Sequence, residues 1–192
     1  MLSDSFKVYA KALIALDRLM RSGREDSDAA DALRDQMDRP WSTLSVGERT
    51  LARVLSTDLY DLDEPAPDHL PQPQSDQDRE ALRELINLAQ NKNWEHFLEK
   101  IRSVQQFIPP AFAAYLRGRA WYELGDADIA WLFLDRACQL DPKNMNFRYF
   151  ALDVLSRCSH TAGAEKISAA ILAELTEDAT ARIYQELIRL AS

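Results

Sequence analysis

The chain has 192 residues, of which 46% are hydrophobic and 28% are charged, and only five are glycines. This size and composition are typical of one globular domain or two small ones, and plentiful Ala and Leu with little Gly favour helices. The formal net charge of −8 argues against nonspecific nucleic-acid binding. No apolar run is long enough to predict a membrane span.

The N-terminal stretch lacks the basic region and the clean apolar run of a secretory signal. The two cysteines, Cys138 and Cys158, lie in segments with helical periodicity. Two cysteines without a secretory signal are typical of reduced thiols. The sequence therefore predicts a cytoplasmic location.

The first 62 residues are predicted to form a small helical bundle. Apolar spacing predicts helices over about residues 4–22 and 27–38 and from Ser45 onward. Pro40 is expected to end the second helix. Ser45 followed by Glu48 three residues later is a capping-box pattern that begins the third helix. We expect this N-terminal module, residues 1–62, to bind a second partner or to form a homodimer.

Residues 63–78 are predicted to be an acidic, Pro-rich linker. They hold four of the eight prolines and five acidic residues, with no Lys or Arg. Proline favours extended backbone and like charges repel, so the segment is expected to be stiff and solvated. The sequence therefore predicts two separable parts, although a linker packed on the rest of the chain could act as an internal ligand.

Residues 79–192 are predicted to be helical throughout, as three hairpins and a closing helix. The expected helices are 79–91, 94–107, 111–124, 127–140, 145–158, 162–175 and 178–190. Taking Ala130 as a reference, Phe97 stands 33 residues before it and Ala164 stands 34 residues after it. A period near 34 with two helices per unit is the signature of a tetratricopeptide array.

The middle unit, residues 111–144, resembles the tetratricopeptide repeat family. Eight residues carry the resemblance. They occupy small, aromatic and apolar packing positions, the turn between the two helices and the end of the second helix: Gly118, Trp121, Gly125, Asp126, Ala130, Leu134, Ala137 and Pro142. The flanking units depart from the pattern, since Leu85 and Leu152 replace the Gly, Phe97 replaces the Ala and Ser168 replaces a large apolar residue. The resemblance implies an all-α fold, in which the N-terminal bundle is joined to an α-solenoid of about three hairpins capped by residues 178–190.

No pattern in the sequence predicts catalysis, a cofactor or a metal site. His69, His96 and His160 lack partners at metal-ligand spacing. The sequence contains no Gly-rich phosphate loop and neither a GxSxG nor an HExxH motif. The chain is therefore predicted not to be an enzyme, with an enzyme of unrecognised type left as an alternative.

The resemblance implies a partner-binding groove lined by the first helix of each repeat. Carried onto the middle unit, the groove positions are Phe112, Tyr115, Arg119, Tyr122 and Glu123. In the flanking units they include Arg79, Leu82, Ile86, Tyr149 and Asp153. The alternative is that these aromatic residues only pack between neighbouring repeats.

The sequence thus predicts a protein–protein interaction adaptor or scaffold that binds a peptide or helix of a partner. Two other functions stay open at this stage. One is a secretion-type or assembly chaperone, and the other is a regulatory subunit of a larger complex.

Overall fold

The computed structural model describes residues 2–62, 67, 69–157 and 161–174. Within these ranges the chain forms nine α-helices, one short 3-10 helix and no strand, which confirms the predicted all-α class. The helices are α1 (Asp4–Arg21), α2 (Asp28–Thr43), α3 (Val46–Asp61), α4 (Asp76–Gln90), α5 (Trp94–Val104), α6 (Pro110–Glu123), α7 (Ala127–Leu140), α8 (Met145–Leu155) and α9 (Thr161–Glu174). The predicted closing helix, 178–190, lies outside the described residues. None of the described helices is long and apolar enough to cross a membrane.

The starts of α1 and α3 are tied together by one carboxylate. The predicted capping box is present, since Ser45 accepts from the Glu48 N–H and Glu48 accepts from the Ser45 N–H. Glu48 also accepts the backbone N–H of Ser3, the residue that caps α1, at 2.9 Å. Partial burial opposes ionisation, but these hydrogen bonds outweigh it and lower the pKa of Glu48 to about 2.

The prediction that Pro40 ends the second helix is wrong. α2 continues through Pro40 to Thr43. Proline removes only one N–H from the helix, and the last turn is held by other contacts. The Thr43 hydroxyl donates to the Pro40 carbonyl at 2.8 Å, and the Trp41 ring packs on Tyr9 of α1 with centroids 5.4 Å apart.

Several other helix ends differ from prediction by a few residues. α4 begins at Asp76, three residues early, because Ser75 and Asp78 form a second capping box. α5 ends at Val104 and gives way to the 3-10 helix over Gln105–Phe107. α8 ends at Leu155, three residues before the predicted end.

The hairpin of α6 and α7 has the close crossing that its small residues predict. Ala130 is fully buried. A Cβ on Gly118 would lie 2.7 Å from Leu134 Cγ and 3.0 Å from the Ala130 carbonyl oxygen, so only glycine fits there. Gly125 makes the turn between the helices with a φ of +91°.

The N-terminal helices and the later helices share one buried core. Phe6 of α1 stacks on the fully buried Trp121 of α6, with ring centroids 5.9 Å apart. α3 packs on α5, and its buried Asp58 lies 3.0 Å from the Arg117 guanidinium of α6. Pro67 and Leu70 of the linker line a cavity of about 380 Å³ next to this ion pair. The domain boundaries stay a prediction, but these contacts join the parts that the boundaries divide.

Candidate interaction surface

Helix α6 has two opposite faces with different roles. Arg117 and Trp121 lie on the face that is buried against the N-terminal helices. Phe112, Tyr115 and Arg119 are spaced three and four residues apart, and at 100° per residue they lie on the other side of the helix. Packing of the N-terminal helices therefore leaves this second face uncovered by them.

An aromatic cluster joins α6 to α8. The Tyr115 ring stacks on Phe147 with centroids 4.8 Å apart and on Phe112 at 6.0 Å. Phe150 meets Tyr115 edge-on at 5.6 Å and Tyr122 edge-on at 5.4 Å. Such offset and edge-on pairs fix ring orientation beyond simple burial. The cluster thus packs the aromatic side chains of α6 against those of α8.

Charged side chains surround these rings and contact either a ring or a group of opposite charge. The Tyr122 hydroxyl donates to Asp153 Oδ2 at 3.2 Å. Burial, followed by the charge of Asp153, raises the pKa of Tyr122 above its ordinary range. Arg119 lies 5.5 Å from the Phe150 centroid and 3.6 Å from Glu123, while Arg157 lies 5.3 Å from the Tyr122 centroid. The cations therefore lie against ring faces, where the aromatic quadrupole attracts them.

The structure brings the seven groove residues that were predicted on α6 and α8 onto one surface. We call this the aromatic surface; it consists of Phe112, Tyr115, Arg119, Tyr122, Glu123, Tyr149, Phe150 and Asp153. It borders an open recess of about 650 Å³. Phe112 is 44% exposed and Arg119 is also exposed, whereas Tyr115 and Tyr122 are half-buried between the helices. Exposure of Phe112 and Arg119 fits a binding site and the packing of Tyr115 and Tyr122 fits inter-repeat contacts, so the predicted site stays a prediction.

Sequence reasoning missed several residues of the recess. Phe147 and Phe150 of α8 contact Tyr115, and the amide side chains of Asn144 and Asn146 line the opening. The i, i+3 spacing of the two phenylalanines was the available signal. It is weak, because the same spacing occurs on any buried helix face.

The three residues predicted on α4 do not join the recess. α4 packs on α5, and Leu82 is partly buried in the core. Arg79 pairs with Asp76 on its own helix at 3.1 Å. Ile86 is 55% exposed and is not among the residues that line the recess. Arg79, Leu82 and Ile86 thus lie apart from the aromatic surface.

Reactive side chains are not gathered at this surface. Cys138 is a free, buried thiol whose pKa is raised to about 11, chiefly by burial, so its nucleophilic thiolate is disfavoured. His96 Nδ1 lies 2.9 Å from the Asn93 side-chain oxygen. Across the described part of the chain, no three His, Cys, Asp or Glu side chains are grouped as metal ligands would be. Cys158 and His160 lie outside the described residues.

No protein-family model, curated protein or solved structure matches the chain. The tetratricopeptide resemblance therefore depends on the residues of the sequence and on the spacing of the helices.

Proposed function

We propose that the chain is a cytoplasmic protein-interaction adaptor or scaffold whose aromatic surface binds a peptide or helix of another protein. The observation that carries the proposal is the exposed Phe112 ring, stacked on Tyr115 of the Tyr115–Phe147 pair beside the exposed Arg119. Aromatic and Arg side chains are the commonest anchors of protein interfaces.

The contacts that hold the aromatic side chains of the surface support this function. Tyr115 is fixed by three ring contacts, and Tyr122 is fixed by Phe150 and by its hydrogen bond to Asp153. Binding to side chains that are already ordered costs less conformational entropy than binding to mobile ones. At the edge of the recess, the exposed Asn146 amide is able both to donate to and to accept from a peptide backbone.

We propose further that the array is tetratricopeptide-like. The helices α4, α6 and α8 begin 34 and 35 residues apart, and α5, α7 and α9 begin 33 and 34 residues apart. Each pair of successive helices packs together as a hairpin. This regular stacking supports a role in binding, because stacked hairpins create extended surfaces.

Selection from a random-peptide display library tests the proposal. The immobilised full chain should enrich peptides that share a common apolar or aromatic motif. The variant Phe112→Ala/Arg119→Glu should fail to enrich that motif, since both side chains are exposed and their loss leaves the core intact. The control is Tyr60→Ala, which removes an aromatic ring that is 75% exposed on α3. Enrichment of the same motif by all three proteins would overturn the proposal.

A further inference from the structure

A row of cations runs along one face of α1. Lys7, Lys11 and Arg18 are separated by four and seven residues, which places them within about 40° of each other around the helix. All three side chains are exposed. None of them forms an ion pair with another residue in the part of the chain that the structure describes.

This row borders a groove between α1 and the start of α7. We call it the basic groove; it has a volume of about 490 Å³ and is lined by Lys7, Lys11, Ile14, Arg18, Leu132 and Arg157, among others. Ile14 and Leu132 are half-buried and give the groove an apolar floor. Arg157 lines the groove and also lies over the Tyr122 ring of the aromatic surface.

The charge of the groove is opposite to that of the whole chain. Four cations line it, Lys7, Lys11, Arg18 and Arg157, against the two carboxylates Asp126 and Asp128, whereas the chain carries −8. Asp126 is buried and accepts the N–H of Ile129 at 2.9 Å as the cap of α7. The net positive charge is thus concentrated at the exposed rim, above an apolar floor.

We infer that the basic groove binds an acidic, amphipathic segment of a partner protein. Carboxylates of the segment pair with Lys7, Lys11 and Arg18, and its apolar side chains rest on Ile14 and Leu132. The row spans about 16 Å along α1, which matches about five residues of extended peptide or about eleven residues of helix. This surface differs from the one in the proposed function, and the inference does not depend on that function.

A nucleic acid or a lipid surface fits the groove less well. Nucleic-acid binding is dominated by closely spaced phosphates, which the net charge of −8 would repel outside the groove. A flat anionic membrane cannot reach the half-buried Ile14 and Leu132 while it contacts the exposed rim. A short acidic peptide avoids repulsion outside the groove, because its negative charge is confined to the segment that binds. Its apolar side chains are also able to reach the floor of the groove while its carboxylates contact the rim.

The test is fluorescence anisotropy with a labelled synthetic peptide of about 12 residues that places Glu and Leu at helical spacing. The full chain should bind it, and raising the salt from about 50 to 300 mM should weaken binding several-fold. Lys7→Glu/Lys11→Glu should reduce the affinity at least about tenfold, and Lys7→Gln/Lys11→Gln should reduce it by less. The matched control is Lys92→Glu/Lys143→Glu, which makes the same charge change at two exposed turn lysines outside the groove. Circular dichroism of each variant checks that the helices are retained.

Three further probes decide between partner classes. The same peptide with Gln in place of Glu should not bind. A single-stranded oligonucleotide and vesicles containing anionic phospholipid should bind no better to the natural chain than to Lys7→Glu/Lys11→Glu. The inference is overturned if the acidic peptide does not bind, if reversal of Lys7 and Lys11 leaves its affinity unchanged, or if the oligonucleotide or vesicles depend on these lysines instead.

Discussion

Asp58 of α3 and Arg117 of α6 form a buried ion pair across the junction of the N-terminal helices and the later ones. Arg117 Nε lies 3.0 Å from Asp58 Oδ2, and both side chains are almost inaccessible to solvent. The contact is one of charge rather than a well-directed hydrogen bond, since neither Asp58 oxygen has a hydrogen-bond partner among the described residues. Burial raises the pKa of Asp58, even though the charge of Arg117 opposes the shift.

Removal of one partner of this pair should destabilise the fold strongly. Asp58→Ala leaves the Arg117 charge buried without a counter-ion, which should lower the free energy of unfolding by about 3–5 kcal/mol in urea denaturation. The double variant Asp58→Leu/Arg117→Met should recover most of the loss. The control is Asp61→Ala, which breaks the more exposed pair with Arg102 and should cost less than about 1 kcal/mol. Equal effects of Asp58→Ala and Asp61→Ala would contradict the account of the junction.

The same junction should hold the two parts of the chain together without the linker. Phe6 on Trp121 and Asp58 on Arg117 lead us to expect that residues 1–66 and 67–192, expressed as separate chains, associate and elute together in size-exclusion chromatography. Phe6→Ala should weaken the association, because it removes a ring that is fully buried. The sequence alone predicts separable parts, and elution of two folded, independent fragments would support that view against ours.

The close crossing at Gly118 should tolerate no added methyl group. Gly118→Ala places a Cβ 3.0 Å from the Ala130 backbone oxygen, which cannot rotate away, so α6 and α7 must separate. We expect a loss of about 1–3 kcal/mol in thermal or urea unfolding. Gly47→Ala is the control, since its nearest neighbour would be the Glu95 carboxylate at 3.6 Å, and helix propensity makes the change neutral or stabilising. A Gly118→Ala protein as stable as the natural one would show that the helices do not cross as described.

The carboxylate that joins α1 and α3 should give a defined pH dependence. The pKa of Glu48 in the folded chain, about 2, lies below its ordinary value of 4.5, so its stabilisation is full above pH 4.5 and is lost as the pH falls through about 2. Glu48→Ala should therefore cost about 1 kcal/mol at pH 7 and almost nothing at pH 2. Urea denaturation at both pH values measures this difference, with the exposed Glu99→Ala as control. A cost that does not change with pH would contradict the assignment.

The features that the sequence predicts well depend on residues close together in the chain, as in a helix cap, or on the small residues that one helical hairpin needs at its crossing and turn. Ser45 and Glu48 are three residues apart, and Gly118, Gly125 and Ala130 belong to a single hairpin. Local spacing determines both, so they could be recognised without knowledge of the fold.

The features that could not be predicted involve distant residues. Ser3 and Glu48 are 45 residues apart, and no local pattern indicates that Asp58 reaches Arg117. The third hairpin shows the same limit. The sequence aligns Ala164 with Ala130, but a close helix crossing lies one residue earlier at Gly163, whose added Cβ would lie 2.9 Å from Trp131 and 3.1 Å from Leu155. Trp131, the nearer of the two, belongs to the preceding hairpin, which a pattern within one unit does not reveal.

The central claim is that Phe112 and Arg119 anchor a bound partner segment. The most direct test is the affinity of a display-selected peptide, measured by isothermal titration calorimetry against three forms of the full chain. Phe112→Ala/Arg119→Glu should lose about 2 kcal/mol or more of binding free energy, which is about thirtyfold in affinity, while its melting temperature stays close to that of the natural chain. Tyr60→Ala should bind like the natural chain. An unchanged affinity in the Phe112→Ala/Arg119→Glu variant would contradict the claim and place the binding site elsewhere on the molecule.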